Sequence, residues 1–408
     1  MTPAQAAGRT SIGPQPGQRA MTTRSAATQY PPEGFGAPKN RRGHADGDLG
    51  LPRGTEVFSA DNHISLAEDI FYERFPEELK SQAPRIWYED GAYQIGRNNT
   101  SFLPTEFSAV LMQYDDLDGA GSDNLQGRIR QLREDGMDKE LAFPNSILAL
   151  LHFPDKVLRE RAFRTYNEYI AELQDRSGEH FYGVGLINWW DPQGARRTLT
   201  ELKSLGIRTF LLPLNPGKDD DGQQIDYTST DMVPVWDEIE AAEVPVSHHI
   251  GETPLSSPCE VNSIIVGMLH HTAPFREMFG RYIFGGIIDR HPGSGIGWFE
   301  GGISWVPAAL QEAEHLLASY RHMLNRPIER DVRSYWDNHM FASFMVDPLG
   351  LRMIDEIGVD KVMWSSDYPH NESTFGYSEK SIGAVVDAVG PEAAVKIVSG
   401  NVRNFLGL

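Results

Sequence analysis

Imidazole and carboxylate side chains stand at or just after the ends of several short apolar segments. The set comprises Asp61, His63, His248, His249, Glu300 and Asp367. Residues i and i+2 of a strand point to the same side, so Asp61 and His63 can face one space. Imidazole and carboxylate together suit Zn, Mn or Fe(II). The pattern therefore predicts a divalent metal site assembled from segments far apart in the chain.

Each member of this set also has a purely structural interpretation. An Asp-x-His pair commonly forms a turn or a cap, Asp367 before Tyr-Pro suits an Asx turn, and Glu300 could pair with a nearby arginine. Adjacent strand residues face opposite sides, so one of His248 and His249 points inward and the other is a core residue. The set offers more donors than one ion needs, and we therefore keep both one and two ions open.

The elements that position these residues follow an alternating pattern. Short β-branched or apolar runs predict strands, and amphipathic stretches between them, such as 158–173 and 194–205, predict helices. The predicted strands are 56–60, 140–144, 181–188, 208–214, 244–249, 295–299, 339–346 and 361–365. Eight strands alternating with helices predict an α/β fold, a (β/α)8 TIM barrel, whose active site forms at the carboxyl ends of the strands.

Two segments lie outside the alternating pattern. Residues 66–138 separate the first and second strands, and a loop of that length without structure would be unusual, so we predict an insertion that could act as a lid. Residues 1–54 are rich in Pro and Gly and have no apolar period, which predicts a disordered N-terminal tail. The barrel is expected over 55–408.

Composition limits the class of partner. The chain carries 37 Lys and Arg against 57 Asp and Glu, a net charge of −20, which argues against nucleic acid. No apolar run approaches the roughly 18–20 residues that span a bilayer, so no membrane partner is expected. The single cysteine, Cys259, excludes an internal disulfide, and with no secretory signal evident the expected location is cytoplasmic.

Three stretches carry a resemblance to a known family. They are 59–65 (SADNHIS), 284–307 (FGGIIDRHPGSGIGWFEGGISWVP) and 362–370 (VMWSSDYPH). From about residue 55 to 408 the chain resembles the amidohydrolase superfamily, in the branch of amidohydrolase family 2 that contains aminocarboxymuconate-semialdehyde decarboxylase. The resemblance implies a metal-dependent TIM barrel, a small-molecule substrate and, as is common among members, a homodimer.

The resemblance also implies roles for individual residues. Asp61 and His63 would be ligands from the first strand, His249, in preference to His248, the ligand from the fifth, and Asp367 a ligand that also handles a proton. Two features depart from the family. The first ligand is Asp61 where members carry His or Glu, and Glu300 stands near the position where the decarboxylases carry a histidine.

The first functional hypothesis is therefore a hydrolase of amidohydrolase type that uses metal-bound hydroxide on a small substrate with an apolar body. Alternatives are a nonheme diiron monooxygenase on the same barrel acting on a terpenoid-like substrate, and a non-oxidative decarboxylase. The non-enzymatic alternative is a metal-free scaffold. Zinc, manganese and iron all remain open as the metal.

Overall fold

Parallel strands form the centre of the molecule in the computed structural model. It describes residues 48–89, 92–98, 100–102, 122–145, 148–151, 153–219, 221–252, 260–328 and 330–408. The barrel strands are Phe58–Ile64, Lys139–Pro144, Phe181–Gly183 continued by Gly185–Leu186, Phe210–Leu211, Val246–His249, Ile296–Phe299, Met340–Phe344 and Val362–Trp364. Each barrel strand pairs in parallel with the next. The predicted (β/α)8 barrel is confirmed.

The first and last strands meet at a seam that closes the barrel. The backbone N–H of Asp367 donates to the carbonyl of Asp61 at 2.7 Å, and that of His63 donates to the carbonyl of Tyr368 at 2.6 Å. The first strand therefore extends past the predicted end at Ala60, and Asp61 and His63 lie within it. Parallel pairing brings all the carboxyl ends to one face, which is where the polar residues collect.

Helices follow the strands and cover the outside of the barrel. They are Ile70–Arg74, Leu125–Glu134, Leu148–Leu151, Lys156–Ser177, Pro192–Ser204, Val233–Ala242, Ser263–Met268, Ala273–Ile283, Ile287–Arg290, Trp305–Tyr320, Val332–His339, Pro348–Arg352, Ile354–Ile357, Ser378–Val389, Pro391–Val395 and Asn401–Leu406. Asp side chains cap several of them; Asp155, for example, accepts from the N–H groups of Val157 and Leu158. No helix among the described residues is long and apolar enough to cross a membrane.

The insertion after the first strand is of mixed type. It contains an antiparallel sheet of Arg85–Glu89, Ala92–Arg97 and Thr100–Ser101. The rings of Phe102 and Phe153 pack at a tilt of 41° with centroids 4.6 Å apart, and Phe153 follows the second barrel strand. The sheet therefore packs against a loop on the face that carries the strand ends. A lid function for this insertion stays a prediction.

A buried ion pair ties the insertion to the barrel. Arg128 of Leu125–Glu134 donates from Nε and Nη2 to the two oxygens of Glu140, each at 2.7 Å, and both side chains are almost fully buried. Asn62 donates to Glu140 at 2.8 Å and accepts the N–H of Tyr368 at 3.0 Å. Asn62 thus points away from the barrel interior and fixes the first strand against its two neighbours.

The predicted N-terminal tail falls mostly outside the described residues, as does Cys259. Residues 48–54 of that tail are described. Leu49 and Leu51 are partly buried and pack against the hydrophobic core. The barrel's packing therefore begins a few residues before the predicted boundary at residue 55.

Candidate metal centre

The first strand supplies two side chains to the mouth of the barrel. Asp61 and His63 are both buried and lie two residues apart, and His63 Nε2 is 3.6 Å from Asp61 Oδ1. The pairing with the second strand shifts register between Ser59 and Asn62. Ser59 Oγ accepts the N–H of Ser366 at 2.8 Å and donates to the carbonyl of Asp61 at 3.1 Å, which holds this irregular stretch in place.

The two histidines of the fifth strand have different surroundings. His249 faces the mouth, where its Nε2 lies 3.1 Å from Glu300 Oε2 and 3.6 Å from Asp61 Oδ1. His248 faces outward, with Nδ1 2.7 Å from the carbonyl of Leu212 and Nε2 2.7 Å from the hydroxyl of Tyr282. Both nitrogens of His248 are therefore engaged, and this residue lies apart from the cluster.

Left-handed backbone turns direct the remaining carboxylates inward. Glu300 follows the sixth strand with a φ of 64°, and Asp367 follows the eighth with a φ of 61°. This conformation is uncommon for residues other than glycine. The N–H of Glu300 is anchored on Ser343 Oγ at 3.0 Å, and that of Asp367 on the barrel seam. Such local cost persists only where the surrounding structure determines it, and it is concentrated at functional sites.

Six side chains converge as a result. Two overlapping groups of potential ligands form, with donor atoms within 4.8 Å of one another: Asp61, His63, His249 and Glu300, and His63, Glu300, Asp367 and His370. His63 Nε2 lies 3.1 Å from Glu300 Oε2 and 3.3 Å from Asp367 Oδ1. His370 Nδ1 lies 2.9 Å from Asp367 Oδ1 and 3.5 Å from Glu300 Oε2.

The hydrogen bonds of this cluster are incomplete in the way a cation site requires. Apart from the neighbouring imidazoles, no described group donates a hydrogen bond to the carboxylate oxygens of Asp61 or Asp367, although both side chains are fully buried. Buried carboxylates are costly without such partners. His249 Nδ1 lies 2.8 Å from the carbonyl of Ile250, an arrangement in which Nδ1 donates and Nε2 presents its lone pair to the cluster. The donor set fits a divalent cation.

Electrostatics within the cluster are strongly coupled. Burial raises the pKa of Asp61 to about 6 and raises the pKa of Asp367 well above its usual value. Burial also opposes the charged form of Glu300, but His249 and the other imidazoles outweigh it and lower the pKa of Glu300. Burial similarly opposes protonated His249, and the Glu300 and Asp61 carboxylates outweigh it and raise the pKa of His249. The carboxylates and imidazoles of this compact site therefore influence one another's protonation.

Three further groups lie in or near the cluster. His370, in the motif around Asp367, is one of the surplus donors that the sequence offers, and its ring turns back into the mouth. Glu372 is close enough for Glu300 and His370 to shift its pKa, which burial raises. Burial lowers the pKa of His271, which Glu300 and His249 also influence, and its Nε2 has no hydrogen-bond partner among the described residues. The His270-His271 doublet was its only sequence signal.

A family model described as Amidohydrolase matches residues 103–408. That match covers every barrel strand except the first. The segment that carries Glu300 and the segment that carries Asp367 and His370 both lie within it, whereas Asp61 and His63 lie before it.

Solved structures share the fold at low sequence identity. An amidohydrolase from Mycobacterium avium subsp. paratuberculosis aligns with a TM-score of 0.69 and 18% identity, over 88% of this chain and 99% of that one. For 2,6-dihydroxybenzoate decarboxylase from Rhizobium the TM-score is 0.62 and the identity 18%, over 86% and 99%. For 5-carboxyvanillate decarboxylase from Novosphingobium aromaticivorans, complexed with manganese and a nitrobenzoic acid, the values are 0.59 and 15%, over 90% and 99%.

Proposed function

Because the chain belongs to the amidohydrolase family, we propose that it is a metal-dependent enzyme that removes a carboxyl group from a small cyclic organic acid without oxidation. The observation that carries the proposal is the convergence of three buried carboxylates and three imidazoles at the carboxyl ends of the strands. Asp61, His63 and His249 are the core ligands of the proposed cation, and Glu300 lies within ligand distance of both histidines.

A divalent cation bound here supplies positive charge that orients and polarises the substrate's carboxylate. The chain's own residues position and protonate the substrate. His249 keeps a fixed orientation through its contact with the carbonyl of Ile250. Asp367, buried beside His370, is the proposed acid that delivers a proton to the carbon from which carbon dioxide departs. The electron pair of the broken C–C bond takes that proton, so the step balances without an oxidant.

The comparisons support decarboxylation over the alternatives. Two of the three similar structures named above are decarboxylases of hydroxylated aromatic acids, and one of them holds manganese. Manganese is therefore the first metal to supply. The solved structures named above include no oxygenase, so the diiron monooxygenase interpretation gains no support from them.

Hydrolysis remains the second candidate because of one residue. Glu300 stands at the end of the sixth strand, near the position where the resembled decarboxylases carry a histidine. A carboxylate there, 3.1 Å from both His63 and His249, can accept a proton from water that attacks a substrate. The residue type at this position therefore distinguishes the two reactions: the resembled decarboxylases carry a histidine there, and a carboxylate suits the activation of water.

Proton NMR of manganese-loaded protein with two substrate panels tests the proposal. One panel contains benzoic acids with a hydroxyl group ortho to the carboxylate, and the other contains aryl esters and anilides. Loss of the carboxyl group with solvent deuterium entering the ring supports the proposal. Turnover confined to the second panel overturns it in favour of hydrolysis.

His63→Ala is the matched control in both panels, since it removes a ligand and leaves the barrel folded. We expect it to lose activity by about 1,000-fold, together with its metal. Decarboxylation that persists unchanged in folded, metal-free His63→Ala contradicts a metal-dependent step.

A further inference from the structure

A separate cleft opens on the face of the barrel that carries the strand ends. It lies between the segments that follow the second, third and fourth barrel strands, and its volume is about 930 Å³. Volumes of roughly 300–1,000 Å³ are typical of small-molecule sites. Among the described residues, those of the metal centre and those that line this cleft are different.

An arginine and two indole rings form one wall of the cleft. The guanidinium carbon of Arg159 lies 4.8 Å from the ring centroid of Trp190 and 5.8 Å from that of Trp189. Arg159 Nε donates to the carbonyl of Phe153 at 2.7 Å, and Trp189 Nε1 donates to the carbonyl of Pro216 at 2.9 Å. These contacts hold the guanidinium in a fixed position over the aromatic rings.

The guanidinium of Arg159 has no carboxylate partner among the described residues. Its Nε is engaged, but its Nη groups donate to nothing in the described part of the chain. The side chain is half-buried, and burial lowers its pKa to about 10, a shift that a nearby carboxylate would oppose. Because the paired N–H groups of arginine match the two oxygens of a carboxylate, they are available to a ligand.

The acidic side chains of the cleft already have partners within the chain. Four of them line it, and all four accept hydrogen bonds from described residues: Asp155, Glu160, Asp191 and Asp219. Glu160, for example, receives Arg197 Nε at 2.7 Å and Asn188 at 2.6 Å. Four basic side chains also line the cleft, so its charge is balanced on a chain whose net charge is −20. Arg159 is therefore free to attract an anion.

The cleft and the metal centre share a wall. Glu252 lies three residues after His249, and its carboxylate accepts the N–H groups of Leu214 and Asn215 at 2.6 and 2.8 Å. Asn215 lines the cleft. The loop after the fourth strand is therefore fixed to the segment that carries His249, and a molecule in the cleft lies beside the mouth of the barrel.

We propose that this cleft is a second binding site, which takes a planar organic acid. The carboxylate of the acid pairs with the Nη groups of Arg159, and its ring packs against the partly exposed indole of Trp190. Binding requires no metal and does not depend on the proposed function. Since an aromatic acid is also what the proposed reaction consumes, the cleft would hold such a molecule beside the mouth without converting it.

Calorimetric titration of EDTA-treated, full-length protein tests the inference. The probes are 2,6-dihydroxybenzoate, resorcinol, which is the same ring without the carboxylate, and acetate, which has no ring. We expect 2,6-dihydroxybenzoate to bind about 10-fold more tightly than either of the others, because it alone engages both the arginine and the indole. Equal affinity for resorcinol, or no binding of any probe, overturns the inference. The proposed function is measured on metal-loaded protein and stands or fails separately.

Variants locate the bound acid. Arg159→Met and Trp190→Ala are each expected to weaken the binding of 2,6-dihydroxybenzoate by about 10-fold. Arg197→Met is the matched control, because Arg197 lines the same cleft but is already paired with Glu160; its affinity should change by less than about 2-fold. Unchanged affinity in folded Arg159→Met would place the acid elsewhere and overturn the inference. Circular dichroism and thermal melting confirm that each variant is folded.

Discussion

The first barrel strand contributes to two networks of buried carboxylates, and the hydrogen bonds are complete in one network and incomplete in the other. Asn62 points outward to Glu140, whose two oxygens receive Arg128 and Asn62 at 2.7–2.8 Å. Asp61, the residue before it, points inward, and neither of its oxygens accepts a hydrogen bond from a described residue. Adjacent residues of one strand thus contribute to a completed arginine–carboxylate pair on one side and to a cluster of carboxylates and imidazoles on the other.

The difference separates stability from function. The Arg128–Glu140 network balances its own charge and fixes the strand, so its loss should destabilise the barrel. The inward cluster gathers Asp61, Glu300 and Asp367 with imidazoles in place of lysine or arginine. A protein that needed these carboxylates only for folding would pair them as it pairs Glu140. The cluster therefore costs stability unless a cation is bound.

The largest expected effect comes from the outward network. Arg128→Met should lower the free energy of unfolding by about 3–5 kcal/mol, because it leaves Glu140 charged and buried with one remaining donor. Arg196→Met is the matched control, since Arg196 pairs with Glu238 at the exposed surface; its loss should cost about 0–1 kcal/mol. Urea unfolding measures both. A cost for Arg128→Met no larger than for Arg196→Met would remove the first half of the comparison.

An intermediate effect is expected at His248, the outward member of the histidine pair. His248→Gln should lower the free energy of unfolding by about 1–3 kcal/mol, because glutamine cannot satisfy both Leu212 and Tyr282 in the same geometry. The folded variant should retain its metal. His249→Gln should do the reverse, with metal content falling and stability of the metal-free protein little changed. Metal analysis and thermal melting of both variants test these roles. Equal metal loss in the two variants would contradict the assignment of His249 to the metal and His248 to the fold.

The smallest expected change in the free energy of unfolding is an increase. Above pH 6, Asp61→Asn should raise the stability of metal-free protein by about 1 kcal/mol, because an amide removes a carboxylate whose charged form burial disfavours and adds donors toward the neighbouring carboxylates. With Mn(II) in excess the order should invert, since the variant binds metal more weakly and gains less from it. The check is to measure the melting temperatures of wild type and variant, each with EDTA and with Mn(II). A metal-free variant less stable than wild type would mean that Asp61 is satisfied within the protein.

Much of this architecture could be predicted from the sequence, because apolar residues recur with the period of strands and helices along a regular barrel. The predicted strand at 140–144 agrees with the structure to within one residue at each end, and the predicted helix at 194–205 to within two. Strand parity also predicted that Asp61 and His63 face one side. Parity could predict that one of His248 and His249 points inward, but not which one, since that depends on how the barrel closes.

Other parts of the cluster depend on geometry that no local pattern records. His370 reaches the mouth because Asp367 adopts a left-handed conformation, and nothing in the residue type requires that. Likewise, composition does not reveal the packing of Leu49 and Leu51, two apolar residues in the Gly- and Pro-rich stretch before residue 55. Both features depend on contacts between residues that are far apart in the sequence.

The seam between the first and last strands has a consequence for biosynthesis. Asp61 emerges from the ribosome early, whereas Asp367 and His370 emerge about 300 residues later, and the hydrogen bonds between the two strands join these halves. A growing chain therefore has no complete cation-binding site until the segment with Asp367 and His370 has been translated. A product that stops before Asp367 should bind a divalent cation more weakly than one that contains this segment.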